Sequence, residues 1–221
     1  MLKEWIKTTW HFHVSAIRVM ATDVNGRPFS LASRCAYHLF FVGLTVVIVL
    51  CLPNGISRGF IDYIKDIFAI FVGFFVTVLA FVYDKLDITK IPTQEEMDEL
   101  PADMRWDSKK VMRVKREHNY TIKFFYTVGM VILFSTLAIC LLIPNIFWPD
   151  FFDVKMGEYY FLSSITDVSW ESIALFFHLS LCNIYRFMVV FLTIKILYYT
   201  FYSVSSLLQV LISKKKLETW N

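Results

Sequence analysis

Apolar residues fall into four long runs along this chain, separated by polar connections of very different length. The runs cover residues 35–52, 67–83, 124–143 and a last stretch that opens near Ser172. A helix needs about 20 mostly apolar residues to cross a hydrocarbon core ~30 Å thick. The pattern therefore predicts an all-α membrane protein with four transmembrane helices. Ahead of them, residues 2–20 read as an amphipathic helix. Trp5, Phe12, Ala16 and Val19 share one stripe, with Lys3, Lys7 and Arg18 as its basic residues. Such a helix suits the inner membrane interface, either sliding as the bundle moves or holding as a static anchor.

Turn and cap signals divide the rest. Asn25-Gly26-Arg27-Pro28 is a turn, and Ser30 or Ser33 can then cap the first span. Pro53-Asn54-Gly55 ends that span in a tight turn, and Pro144-Asn145 ends the third in a similar way. In the second span Ala69, Gly73 and Thr77 lie four apart with Ala80 beside them, a small-residue face that lets two helices approach closely. The middle loop opens with Thr93-Gln94-Glu95-Glu96, a capping box that predicts a short helix over 94–100, stopped by Pro101. Asp107 or Ser108 can start a second helix that runs on into the third span.

The fourth helix is longer than a bilayer needs. Residues 172–213 would span ~63 Å as one helix. Two registers fit. In the preferred one, the hydrocarbon covers roughly residues 173–193, Lys195 snorkels inward, and Tyr198, Tyr199 and Tyr202 form an inner aromatic belt. In the other, Lys214, Lys215 and Lys216 mark the inner boundary, and the core covers roughly residues 191–212.

Charge sets the expected orientation. The N-terminal arm, the middle loop counted through Lys123 and the C-terminal tail hold 17 Lys and Arg, whereas the two short connections hold three, Arg58, Lys65 and Lys155. Basic residues concentrate on the cytoplasmic side of short loops. The expected layout is a cytoplasmic arm (1–34), a first hairpin (35–83), a cytoplasmic loop with short helices (84–120), a second hairpin (121–213) and a basic cytoplasmic tail (214–221). An acidic external connection covers 145–171, with Asp150, Asp153, Glu158, Asp167 and Glu171.

Composition agrees: 57% of the 221 residues are hydrophobic and only 19% are charged. The net charge of +3 follows topology and gives no direct evidence for nucleic acid. Cys35, Cys51, Cys140 and Cys182 all lie in apolar stretches without metal-ligand spacing. A bridge between Cys51 and Cys140 stays open as an option. No metal or cofactor is implied. Met1–Arg34 carries no apolar core followed by a cleavage site. HExxH, GxSxG, P-loop and dinucleotide fingerprints are all absent, so an enzyme is not expected.

Polar residues within a span point to function. Asn183 and Arg186 lie three apart on one face, with His178 about two turns before Arg186, Lys195 beyond it, and His38 in the first span. No Asp or Glu lies inside a span core to pair with Arg186. Its expected partners are carbonyls, hydroxyls such as those of Ser135 and Thr136, or water. The bland alternative is that Arg186 snorkels or ties helices together through carbonyls. Lys109, Lys110, Arg113, Lys115 and Arg116 make a basic surface that suits either anionic headgroups or a cytoplasmic partner or anionic signal.

These features favour a homo-oligomeric ion channel or pore-type effector, its mouth ringed by the external carboxylates and its gate on the cytoplasmic side. The alternative is a non-conducting anchor or regulatory subunit. The basic stretch 109–116, the short Pro-Asn exits and the lack of enzyme motifs resemble the layout of small multi-span effectors in bacterial anti-phage systems. Those effectors depolarise or permeabilise the inner membrane when a cytoplasmic sensor fires. The resemblance is one of architecture and carries over no individual residue. It implies a bacterial inner membrane, a role in antiviral defence and a cytoplasmic partner.

Overall fold

A computed structural model describes residues 1–52, 58–85, 93, 96, 101, 106–152, 154, 158 and 169–218. The chain is an all-α membrane protein. Its helices are α1 (Leu2–Met20), α2 (Leu31–Leu50), α3 (Arg58–Lys85), α4 (Ser108–Phe147), the short α5 (Pro149–Phe152) and α6 (Trp170–Glu218). Helices α2, α3, α4 and α6 are long and apolar enough to cross a bilayer.

Several helix ends follow directly from side-chain chemistry. The Ser33 amide donates to Ser30 Oγ at 3.2 Å, so Ser30 caps α2. The Asp107 carbonyl accepts the first helical bond of α4 from Val111 at 3.0 Å, and α4 runs without interruption into the third span, as expected. Ser169 and Ser172 cap α6 reciprocally: the Ser172 amide donates to Ser169 Oγ at 3.2 Å and the Ser169 amide to Ser172 Oγ at 2.9 Å. Thr93 and Glu96 make the two bonds of the predicted capping box, at 2.7 and 3.3 Å. The rest of the helix expected over 94–100 lies outside the described residues, as does the Pro53-Asn54-Gly55 turn.

Two helices continue past their expected ends. Pro144 does not stop the third span, because α4 runs on to Phe147. Proline removes one donor and crowds the preceding turn, but so near the helix end few bonds are at stake. The helical pattern resumes at once, with the Trp148 amide donating to the Pro144 carbonyl at 2.9 Å. Helix α6 extends through Glu218, 49 residues or about 74 Å. Residues 214–218, expected as tail, form its last turns.

The chain divides into two compact units. The first holds Met1–Arg34, Val76–Met130 and Tyr199–Asn221. Here α1 lies on α4. Ala16 is fully buried, and the Phe12 ring stacks 5.5 Å from that of Tyr126. Phe12 also presses on Gly129 so closely that a Cβ there would collide with the ring. The connection after α1 closes on itself. The Asp23 carboxylate accepts from the amides of Asn25 (2.8 Å) and Arg27 (2.7 Å), and Gly26 takes φ +80°, a conformation that favours glycine. Helix α4 grips this turn from below. Asn119 Nδ2 donates to the Val24 carbonyl at 2.7 Å, and Lys123 Nζ to those of Thr22 (2.5 Å) and Asp23 (3.1 Å).

The second unit holds Cys35–Phe75 and Val131–Tyr198. On α3, Ile61, Ile64, Phe68 and Phe75 are buried, at helical spacing. The small residues Ala69, Gly73, Thr77 and Ala80 of that helix are exposed, and a Cβ added at Gly73 would meet nothing within 4 Å. Only 11% of the spanning window of α2 and 17% of that of α3 are buried, against 33% and 39% for α4 and α6.

Candidate functional site

Within the second unit, α6 carries several polar residues, and the structure sorts them into different roles. His178 lies beneath α5. The Phe151 carbonyl can only accept, so His178 Nε2 is the donor, at 2.6 Å. Cys182 Sγ donates to the same carbonyl at 3.4 Å. The Phe151 and Phe152 rings then cover His178 and Tyr185, with centroids 4.7 and 4.3 Å apart. His178 thus fastens the connection after α4 to α6, and Val154, Leu179 and Cys182 form a small core beside it.

Arg186 lies one turn beyond Cys182 and is only 3% exposed. Its Nε and Nη2 have no hydrogen-bond partner among the described residues. Of the two hydroxyls expected to serve it, Thr136 bonds the carbonyl of Ile132 in its own helix at 2.9 Å, and the buried Ser135 Oγ has no partner. Glu158 is the unforeseen neighbour. Its Oε2 is buried without a partner, and both Glu158 and Arg186 act electrostatically on Cys182. The connection therefore brings a carboxylate into the surroundings of a span arginine without closing an ion pair. Asn183 is half-buried one turn before Arg186.

Lys195 does not snorkel. It is 4% exposed, with Nζ 4.3 Å from the Tyr37 ring, 4.1 Å from Phe41 and 5.6 Å from Phe191. This is cation–π geometry. Tyr198 closes the cluster, 5.4 Å from Tyr37 and 5.1 Å from Phe41. His38, next along α2, is exposed. The sequence contains one hint of this arrangement, the spacing of four between Phe191 and Lys195. The other two rings come from α2, which sequence spacing cannot connect to α6.

Of the expected acidic mouth, Glu171 is exposed on the first turn of α6 and Glu158 is half-buried. Asp153 and Asp167 lie outside the described residues. Asp150 is described only by its backbone, in α5. The four cysteines are free, so no Cys51–Cys140 bridge forms.

The first unit holds a cavity of about 470 Å³ between α4 and α6. Lys109, Met112, Arg113, Arg116, the buried Glu117 and Tyr120 line it from α4, and Gln209 and Ile212 from α6. The expected basic surface is thereby split. Three of its five cations converge on the cavity. Lys110 instead sits over the Trp106 ring at 5.0 Å, and Lys115 is exposed away from the lining. Arg116 is held in place by its Nε bond to Asn25 Oδ1 at 3.3 Å. The contribution of α6 to this wall was not legible, because Gln209 and Ile212 carry no motif. Comparison with known proteins adds no relative: no protein-family model, curated protein or solved structure matches this chain.

Proposed function

We propose that this protein is a homo-oligomeric ion channel or pore-type membrane effector, gated from the cytoplasmic side, with both termini and residues 84–120 in the cytoplasm. The observation that carries this reading is Arg186. A guanidinium buried in an apolar bundle is costly unless water, an anion or a partner group answers it. Two of its nitrogen donors are unanswered among the described residues. An assembly that brings water or a second subunit to this face supplies what is missing. The exposure of α2 and α3 supports the assembly, because it leaves broad helix surfaces for neighbouring subunits. Acidic residues of the connection between α4 and α6 would then concentrate cations at the mouth. The resemblance to anti-phage effectors adds a place for such a pore, the bacterial inner membrane, and a purpose, depolarisation during infection.

A second reading, a non-conducting anchor or regulatory subunit, is favoured by the exposed small-residue face of α3. That face suits a partner helix and requires no conductive path. Planar-bilayer recordings of the purified protein separate the two. Cation currents are expected that fall when Asp150, Asp153, Glu158, Asp167 and Glu171 are neutralised. The fall is greatest near 0.01 M salt, where screening reaches ~30 Å rather than ~8 Å. Arg186→Ala is expected to alter conductance or gating while leaving membrane insertion intact, since removing a span charge eases insertion. Silence under all conditions, or currents indifferent to the five carboxylates and to Arg186, would leave the anchoring reading standing.

A further inference from the structure

We propose that the cavity between α4 and α6 is a binding site for a phosphate ester, held by Lys109, Arg113 and Arg116. The spacing places three cations on one face of α4 along about 10 Å of helix axis. All three line the same concavity. Lys110 and Lys115, in the same stretch, do not, so the lining is a selection from the basic run. No hydrogen bond or ion pair engages Lys109 or Arg113 among the described residues. Glu117, buried in the same lining, offsets one of the three charges, and the positive excess that remains favours an anion. The two guanidiniums match phosphate oxygens with paired, parallel donors. Arg116 is already oriented by Asn25.

The remaining walls describe the rest of the ligand. Met112, Tyr120 and Ile212 offer apolar and aromatic surface, and the Gln209 amide can meet a hydroxyl. The volume lies within the range of small-molecule sites. The ligand is therefore an anion joining phosphate to a hydroxyl-bearing, partly apolar body. Two sources fit: the headgroup of an anionic phospholipid, or a soluble nucleotide. As the trigger of a gate this site rests on the pore reading; as a binding site it does not.

The test uses the full-length protein in nanodiscs. In one arm the lipid is phosphatidylcholine alone, and ADP is titrated by calorimetry. In the other the lipid includes phosphatidylglycerol, and native mass spectrometry counts the phosphatidylglycerol retained per chain. Saturable binding is expected in one arm, weaker at high salt. Lys109→Gln and Arg113→Gln are each expected to weaken it about tenfold, the scale of one lost charge-assisted contact. Lys115→Gln is expected to leave it unchanged. Each variant is first checked for unaltered helicity and size. Absence of saturable binding in both arms overturns the proposal, and so does an equal loss with Lys115→Gln, which would indicate general surface charge. Binding by a protein that never conducts keeps this site and removes the pore. Currents from a protein that binds neither probe do the reverse.

Discussion

Cations inside an apolar bundle need an answer to their charge, and the two on α6 receive different ones. The Lys195 ammonium faces three aromatic rings, each offering a negative π-face. Arg186 has two donors left over among the described residues. That both residues are unusual was legible from their place within an apolar run. What surrounds them was not, because the rings of Tyr37 and Phe41 and the carboxylate of Glu158 come from segments remote in the chain. Asp23 is a simpler case. The amides of Arg27 and Asn25 hold its carboxyl below the usual value of 3.8. A lowered value means that the turn gains stability above the ordinary carboxylate range and loses it as pH falls through the lowered one. Hydrogen exchange of the peptide over 21–29 is the readout. Asp23→Ala is expected to lower the protection of these amides, relative to their intrinsic exchange rate at the same pH, at neutral pH; acidification is expected to lower it in the native chain and to leave it unchanged in the variant.

At the scale of elements, α1 is more firmly placed than an interfacial helix needs to be. One side rests on α4 through Phe12 and Ala16, while Ile6, Trp10, Val14 and Ile17 form an exposed apolar stripe on the other. The stripe expected from periodicity, which holds Phe12 and Ala16, is the side that rests on α4; the second stripe, Ile6, Trp10, Val14 and Ile17, was not part of that expectation. Gly129→Ala puts a methyl group where the Phe12 ring lies. It is expected to destabilise the docking of α1 by about 1–3 kcal/mol, the range for overpacking. Adding Phe12→Ala is expected to recover part of that loss, the coupling that two residues in contact show. Thermal unfolding in detergent measures the full cycle. Pro144 gives the complementary lesson about boundaries. It was expected to end the third span and does not, because a proline one turn from a helix end forfeits too little to terminate it.

For the whole molecule, the four spans were readable because hydrocarbon thickness imposes a length and a composition that no packing detail can disguise. The cavity was not readable, since its second wall comes from Gln209 and Ile212 on α6. Orientation is tested by placing single cysteines on a cysteine-free background. A cysteine at position 107, exposed just before α4, is expected to resist an impermeant reagent added to intact cells and to react after lysis. Labelling from outside would reverse the proposed topology. Association is tested at Gly73, where a larger side chain has open space within one chain. Gly73→Leu is therefore expected to leave the single chain folded while lowering the oligomer fraction in light scattering. An unchanged fraction would mean that this face meets lipid.

The same face has a consequence for how the sequence can drift over generations. A helix surface bathed in lipid tolerates exchange among Leu, Ile, Val and Phe, because acyl chains adapt to any of them. A surface meeting another helix does not, because close backbone approach sets an upper limit on side-chain size. Positions 69, 73, 77 and 80 therefore divide the two histories. If they lie against a neighbour, substitutions there stay among Gly, Ala, Ser and Thr while Ile70 and Phe74, equally exposed, wander freely. If they face lipid, all six positions drift alike.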